Sequence, residues 1–454
     1  MALLQKLNRK KFYVPFMVGI LFAFTGCVER PDAPAANAPV NTNAVNTTVN
    51  TNTAKTPDNK QASTAMPVTL PVLDAMFADE AFTAELKSKL QLTDEQINRL
   101  KEASGKAVGD LSEDESENYA GSTRTSAERA AGEIRQAIGE EKANQLFELV
   151  RTRWQGNGAE NAAQNTTNAN PGALPTDTRI VVNAPAYRMD VFQDGKLVKT
   201  YRVGIGYPEF PLPSGTRKAE TLIFNPTWTP PDEPWVKGKV KPGEKVEAGS
   251  KLNPLGPIKI PIGLPSLIHG GKAPARLGTF ASHGCVGLTD SQIRDFALEL
   301  AKISGTELTM EDITGYGKNK TETKNVKLQK TIPVELRYET IVVENGTLKI
   351  FRDVYERGTN TEENLSRVLS AYGVALESLP PADRDKILQG LKQMAFDARG
   401  NPVAENSNAN ANSSNSKSNS DKVTSSVKGK KEVTFQLAAL SGKGYPAPVN
   451  AVNK

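Results

Sequence analysis

Histidine and cysteine are nearly missing from this chain, with two of each in 454 residues. A chain with two cysteines, one of them in an N-terminal leader, has no disulfide framework. Excess charge is scarce too. The net charge is +5, but Lys6, Arg9, Lys10 and Lys11 all sit in the leader, so the remainder is nearly neutral. Charge therefore gives no support to nucleic-acid binding. Long apolar runs are also lacking: the leader's run, Phe12 to Phe24, falls short of the roughly 20 residues a transmembrane helix needs. Hydrophobic residues make up 38% of the chain, too few for a wholly globular protein of this length, so part of it must be linker.

What is present is concentrated. Both histidines, His269 and His283, lie in one short segment that ends beside the second cysteine, LIHGGKAPARLGTFASHGCVGL. A thiolate to attack and an imidazole to take and return its proton are what nucleophilic cysteine chemistry needs. The same three side chains are also plausible zinc ligands, and ligand type alone does not separate the two readings.

Three low-complexity stretches divide the chain. Residues 1–27 read as an export signal with a basic start, an apolar run and small residues leading into Cys27. The Phe24-Thr25-Gly26-Cys27 end resembles the lipobox of bacterial lipoproteins, and that resemblance implies a lipidated Cys27, an extracytoplasmic, periplasmic-side location and a membrane anchor. Residues 28–66, rich in Asn, Thr, Ala and Pro, read as a disordered tether. A helical unit is expected over 67–155, where Thr93 and Gln96 form a capping box and Ile97, Leu100, Ala107 and Leu111 follow at helical spacing. Its LTDEQ phrase faintly resembles the LTxxQ repeat of Spy-like periplasmic proteins, although an ordinary N-cap explains the same residues. A linker is expected over 156–177. Residues 178–315 have short β-branched runs, a hairpin signal at Asp194-Gly195 and a closing helix after Thr289. Over 316–400 a hairpin at Asn345-Gly346 and two helices broken at Pro380-Pro381 are expected. Residues 401–454 read as a low-complexity tail with one isolated strand near Val433–Leu440.

The 178–310 region resembles the catalytic domain of L,D-transpeptidases, the YkuD family. Its signature is a His-Gly pair followed by Ser/Thr-His-Gly-Cys, here His269-Gly270 and Ser282-His283-Gly284-Cys285. The segments Asn225-Pro226-Thr227-Trp228, Asn253-Pro254-Leu255-Gly256-Pro257 and Pro213-Ser214-Gly215-Thr216 resemble further family segments. The resemblance implies a mainly β catalytic domain, a YkuD-like β-sandwich or barrel with a packed helix. Flanking it are an N-terminal α-helical unit and a small C-terminal α+β extension. It implies a metal-free enzyme without a cofactor, acting on peptidoglycan stem peptides, with Cys285 as nucleophile and His269 as base oriented by the Gly270 carbonyl. The acceptor stays open between a stem amine, a protein amine and water, and a non-catalytic wall-binding role stands as the alternative of another class.

Further roles follow from position. His283, two residues before Cys285, would share its face on an extended strand and support the site. Gly284 would admit substrate closely, and the Cys285 N–H would be the oxyanion donor. Ser282, Arg276 and Gly287 are the candidate substrate contacts. Gly271 and Gly287 depart from the family pattern, which often has Thr or Ser and Arg or Asn there. Gly287 thereby removes a polar contact that Arg276 or another cation would have to supply.

Overall fold

The computed structural model describes residues 66–109, 112–113, 122–154, 172–229, 240, 244–263, 266–396, 422–423 and 427–450. The export signal, Cys27, residues 28–65, Leu111, the 156–171 part of the linker and most of 397–426 lie outside the described residues. Among the described residues no helix is long and apolar enough to cross a membrane.

Among the described residues, five helices form the N-terminal unit: α1 (Leu70–Phe77), α2 (Glu80–Leu90), α3 (Asp94–Gly109), α4 (Thr123–Ile138) and α5 (Glu140–Trp154). Local chemistry starts them. The Thr93 hydroxyl accepts the Gln96 N–H at 3.2 Å while the Gln96 side chain accepts the Thr93 N–H at 3.1 Å. This reciprocal cap satisfies two donors that a helix N-terminus otherwise leaves open. The apolar stripes close on a core of Phe82, Leu86, Leu100, Ile134, Leu146 and Val150, all buried. Thr69, which caps α1, also donates to the Glu209 carbonyl at 2.6 Å and so ties this unit to the next.

The second unit is a strand-rich, curled half-barrel with helices packed on it. Its eight strands in sheet order β9-β7-β6-β5-β10-β1-β2-β3 come from a scrambled chain order. They are β1 (Arg179–Asn183), β2 (Arg188–Gln193), β3 (Lys196–Arg202), β5 (Gly215–Phe224), β6 (Ile258–Pro261), β7 (Leu267–His269), β9 (Val286–Gly287) and β10 (Lys324–Arg337). A separate parallel pair joins β4 (Ile205–Gly206) to β8 (Phe280–Ser282). Asp194 and Gly195 turn β2 into β3 with φ of 49° and 76°, the left-handed pair that matches strand twist. Just past β3, Gly204 and Gly287 exchange two backbone hydrogen bonds of 2.9 Å, so the two ends of the curled sheet meet. Alternate residues Ile180, Val182, Leu222, Phe224, Ile258, Ile260, Ile268 and Val286 fill the interior. Against them packs α6 (Asp290–Ser304), opened by the Thr289–Gln292 capping box, with Ile293, Phe296, Ala297 and Leu300 buried.

The chain then adds α7 (Met310–Lys318) and a three-stranded sheet of β11 (Ile341–Glu344), β12 (Thr347–Phe351) and β13 (Glu432–Gln436). Two helices cover it, α8 (Glu362–Ala371) and α9 (Pro381–Met394). Asn345 and Gly346 make the expected hairpin, with φ of 45° and 78°.

Two expectations fail here. Residues 316–400 are not all a separate extension. Lys324–Arg337 form β10, which pairs with β5 on one side and β1 on the other, in the middle of the barrel sheet. The barrel therefore reaches past residue 315. The strand near Val433 is not isolated either: β13 pairs with β12 from Thr347–Gln436 to Phe351–Glu432. In both cases the partner is remote in sequence and is chosen by burial, which a linear pattern does not record.

Candidate active site

The parallel neighbours β7 and β9 bring the signature together. His269 is paired with Gly287 and Ile268 with Val286. Paired residues project to one face of a sheet and their neighbours to the other. Ile268 and Val286 point into the core. His269 and Gly287 therefore share the opposite face, in one row with Lys259 of β6 and Ile223 of β5. Cys285 lies one residue before β9, where the Leu267 backbone acts on its thiol.

The imidazole is aimed by its own backbone. His269 is 3% exposed, and its Nδ1 lies 2.7 Å from the Gly270 carbonyl. A carbonyl only accepts, so Nδ1 carries the proton and Nε2 is left with its lone pair as the basic nitrogen. The loop 253–257 closes over this ring. Asn253 holds it by donating to the Pro226 carbonyl at 2.7 Å and accepting the Leu255 N–H at 3.0 Å. Gly270 has no room for a side chain: a Cβ would meet Ile293 Cγ2 at 2.8 Å and Pro257 Cδ at 3.1 Å.

Cys285 sits in a tight turn between β8 and β9. The Cys285 N–H donates to Ser282 Oγ at 3.0 Å, and the Ser282 hydroxyl donates to the Cys285 carbonyl at 2.6 Å. Ser266 adds a 3.0 Å bond to the Gly284 carbonyl. Gly284 takes a φ of 90°, which a side chain would strain. Beside it, Gly206 approaches so closely that a Cβ there would stand 2.1 Å from the Phe210 carbonyl oxygen and 3.1 Å from Gly284 Cα.

Three sequence-based expectations change. The 283–285 segment is bent, not extended, so the same-face argument for His283 does not hold. His283 instead packs edge-on between Tyr207 and Phe210, with ring centroids 5.0 and 4.7 Å away. It braces the turn. Ser282, expected as a substrate contact, is buried and donates its hydroxyl to the Cys285 carbonyl. The Cys285 N–H, expected as the oxyanion donor, is already engaged by that hydroxyl. Arg276 lies in a short helical turn (Pro274–Arg276) and donates to the Tyr207 hydroxyl at 3.1 Å, on the His283 side of the site.

Burial sets the charge state. Desolvation, then the nearby Lys272 charge, pushes His269 down to about 3, against the raising influence of the Gly270 and Leu255 carbonyls. His283 falls to about 3 for the same first two reasons. Burial raises the half-buried Cys285 thiol, with the Leu267 backbone and Lys272 opposing. The resting pair is thus a neutral thiol and a neutral imidazole, not the thiolate that a neighbouring histidine would ordinarily favour. Lys272, which the sequence did not single out, acts electrostatically on all three groups. Among the described residues, no three His, Cys, Asp or Glu side chains cluster in a way that could hold a metal ion.

Residues 177–310 match the L,D-transpeptidase catalytic domain family, YkuD. Among solved structures, the chain is similar to the catalytic domain of the E. faecium L,D-transpeptidase, at 17% identity and a TM-score of 0.24, over 36% of this chain and 100% of that one. A crystal structure of a mutant Enterococcus faecium L,D-transpeptidase is 15% identical with a TM-score of 0.22, over 36% of this chain and 50% of that chain. An L,D-transpeptidase from Mycobacterium smegmatis is 15% identical with a TM-score of 0.21, over 36% and 58%. The chain thus spans about half the length of the longer structures it matches. No match was found among curated proteins.

Proposed function

We propose that the region matched to the L,D-transpeptidase catalytic domain is a cysteine acyltransferase that cross-links peptidoglycan stem peptides. The observation that carries this reading is the register of β7 and β9. It pairs His269, with Nδ1 fixed on the Gly270 carbonyl, with Gly287, two residues after Cys285.

The chemistry follows from the neutral resting pair. His269 Nε2 takes the thiol proton as Cys285 Sγ forms a bond to the carbonyl carbon of the donor's third residue. The resulting oxyanion requires backbone or bound-water donors other than the Cys285 N–H, unless Ser282 releases it. As the intermediate collapses, the amide C–N bond breaks and the imidazolium gives its proton to the departing D-alanine amine, leaving a thioester. An acceptor amine then attacks the thioester carbon and His269 takes the amine's proton. The thiol leaves protonated, and a new peptide bond remains. Ser282, Ser266 and the aromatic pair around His283 hold the turn through both halves, which is the positional precision acyl transfer demands.

Lipidation at Cys27 would tether this domain on the outer side of a membrane, within reach of the wall. That part of the reading rests on the leader's residues alone.

The test is incubation of full-length protein with muropeptides carrying tetrapeptide stems, beside Cys285→Ala. Wild type should release D-alanine and yield cross-linked dimers, and Cys285→Ala should yield neither. Shortened, uncross-linked stems would make water the acceptor, and equal products from both proteins would overturn a cysteine mechanism.

A further inference from the structure

The reaction proposed above sets a requirement on the site. Its leaving group is the C-terminal residue of the stem, so a free carboxylate sits one carbon beyond the scissile nitrogen. Bringing that anion into a partly desolvated site is costly without a cation to meet it.

Gly287 and Lys272 together provide one. Gly287 lies in the site row opposite His269 and carries no side chain. Its lane is taken by the Lys272 stem: a Cβ on Gly287 would lie 2.8 Å from Lys272 Cγ, 3.0 Å from Cε and 3.4 Å from Cδ. The backbone fixes this arrangement. The Lys272 N–H donates to the Leu288 carbonyl at 3.1 Å, and the Leu288 N–H donates to the His269 carbonyl at 2.8 Å. The lysine stem is thereby laid along the glycine, with its apolar part covered and its ammonium near the reacting groups.

The charge reaches the centre of the site. Lys272 influences His269, His283 and Cys285 alike, whereas Lys259, on the far side of His269 in the same row, influences His269 alone of these three. Of these cations, Lys272 is the one whose stem lies against Gly287, in the row of His269.

We propose that Lys272, laid over Gly287, is the carboxylate subsite of the donor: its ammonium binds the free C-terminal carboxylate of the leaving residue and restricts donors to stems that end in an acid. This rests on the acyl-transfer reading above. The glycine and the lysine form one device, since any side chain at 287 would evict the stem that delivers the charge.

The experiment compares a synthetic stem tetrapeptide ending in a free acid with the same peptide ending in an amide. Full-length wild type, Lys272→Gln, Lys272→Arg and Gly287→Ala are assayed for release of the terminal residue. Wild type should prefer the acid. Lys272→Gln should raise KM for the acid by about tenfold to a hundredfold, the scale of one charge-assisted bond, and leave the amide nearly unchanged. Lys272→Arg should keep the preference, and Gly287→Ala should lose it in part. Equal losses on acid and amide, or a shifted pH–rate profile with an unchanged acid-to-amide ratio, would overturn the subsite and leave Lys272 as a tuner of the thiol. Binding of both peptides to Cys285→Ala protein, with and without Lys272→Gln, needs no turnover. Acid-selective binding that Lys272→Gln abolishes supports the subsite even if wild type processes neither peptide, in which case the acyl-transfer reading fails alone. Equal binding of acid and amide overturns the subsite.

Discussion

Replacing Ser282 by alanine separates two roles for the Cys285 amide. The hydroxyl accepts the Cys285 N–H at 3.0 Å and donates to the Cys285 carbonyl at 2.6 Å. Ser282→Ala removes both bonds and leaves two backbone groups near the surface of a half-buried turn. At about 1 kcal/mol for each bond, the loss is about 2 kcal/mol, and water reaching the half-buried turn keeps it from growing toward the full cost of buried, unpaired groups. For a domain of this kind that lowers the melting temperature by about 4–8 °C. The chemical effect should be larger than the thermodynamic one. A nucleophile no longer pinned to its turn reacts about tenfold to a hundredfold more slowly, because acyl transfer tolerates little misplacement. Thermal melts give the first quantity. The time course of a carbapenem adduct on Cys285, followed by intact mass, gives the second, since resemblance to L,D-transpeptidases implies that these drugs acylate the thiol. An unchanged melting temperature together with an unchanged rate would refute the positioning role. A faster rate despite a lower melting temperature would also refute it, and would mean that the Cys285 N–H is wanted as an oxyanion donor and that Ser282 competes for it.

Other outcomes follow from the same geometry. His269 is held neutral down to about 3, so acylation should not fall away between pH 7 and pH 5; a loss centred near 6.5 would show an ordinary, solvated imidazole. The unfolded chain's histidine takes a proton near 6.5 that the folded one refuses. The folded state is therefore disfavoured progressively as pH falls from about 6.5 toward about 3, by at most about 1.4 kcal/mol per pH unit. Urea midpoints of wild type and His269→Gln, compared across that range, should diverge in that direction, and parallel curves would contradict it. Gly206→Ala places a methyl against the Phe210 carbonyl and Gly284. It should cost about 3 kcal/mol and slow acylation together with stability; a well-folded Gly206→Ala protein of full activity would mean the turn has slack that the packing denies.

The chemistry of the site was readable because it is carried by rare residue types close together in the chain. The Gly270 carbonyl meets His269 Nδ1, as the signature implies. The neighbours that decide how they behave were not readable. Tyr207 and Phe210 reach His283 from the loop after β4, Asn253 reaches the His269 loop from before β6, and Ser266 reaches Gly284 from the start of β7. Each is an ordinary residue whose type carries no signal until the fold brings it near. Ser282 was legible as part of the motif, but its two bonds to the Cys285 backbone were not. Gly287 was legible as a departure from pattern, but its meaning lies in the Lys272 stem that occupies the space it leaves.

The sequence by itself determined the local events. Asp194-Gly195 and Asn345-Gly346 turn because those residues accept positive φ, and Thr93, Thr289 and Thr361 start helices because their hydroxyls accept nearby N–H groups. Both depend on interactions between residues a few positions apart, so composition and spacing suffice. Only the tertiary structure decided that Lys324–Arg337 runs through the middle of the barrel sheet, that Glu432–Gln436 completes the small one, and that burial lowers His269 and raises the Cys285 thiol. Strand partners a hundred residues apart are selected by which pairing buries the most apolar surface. Proton affinities are set by how completely that same burial removes water. Neither quantity exists until the chain has closed on itself.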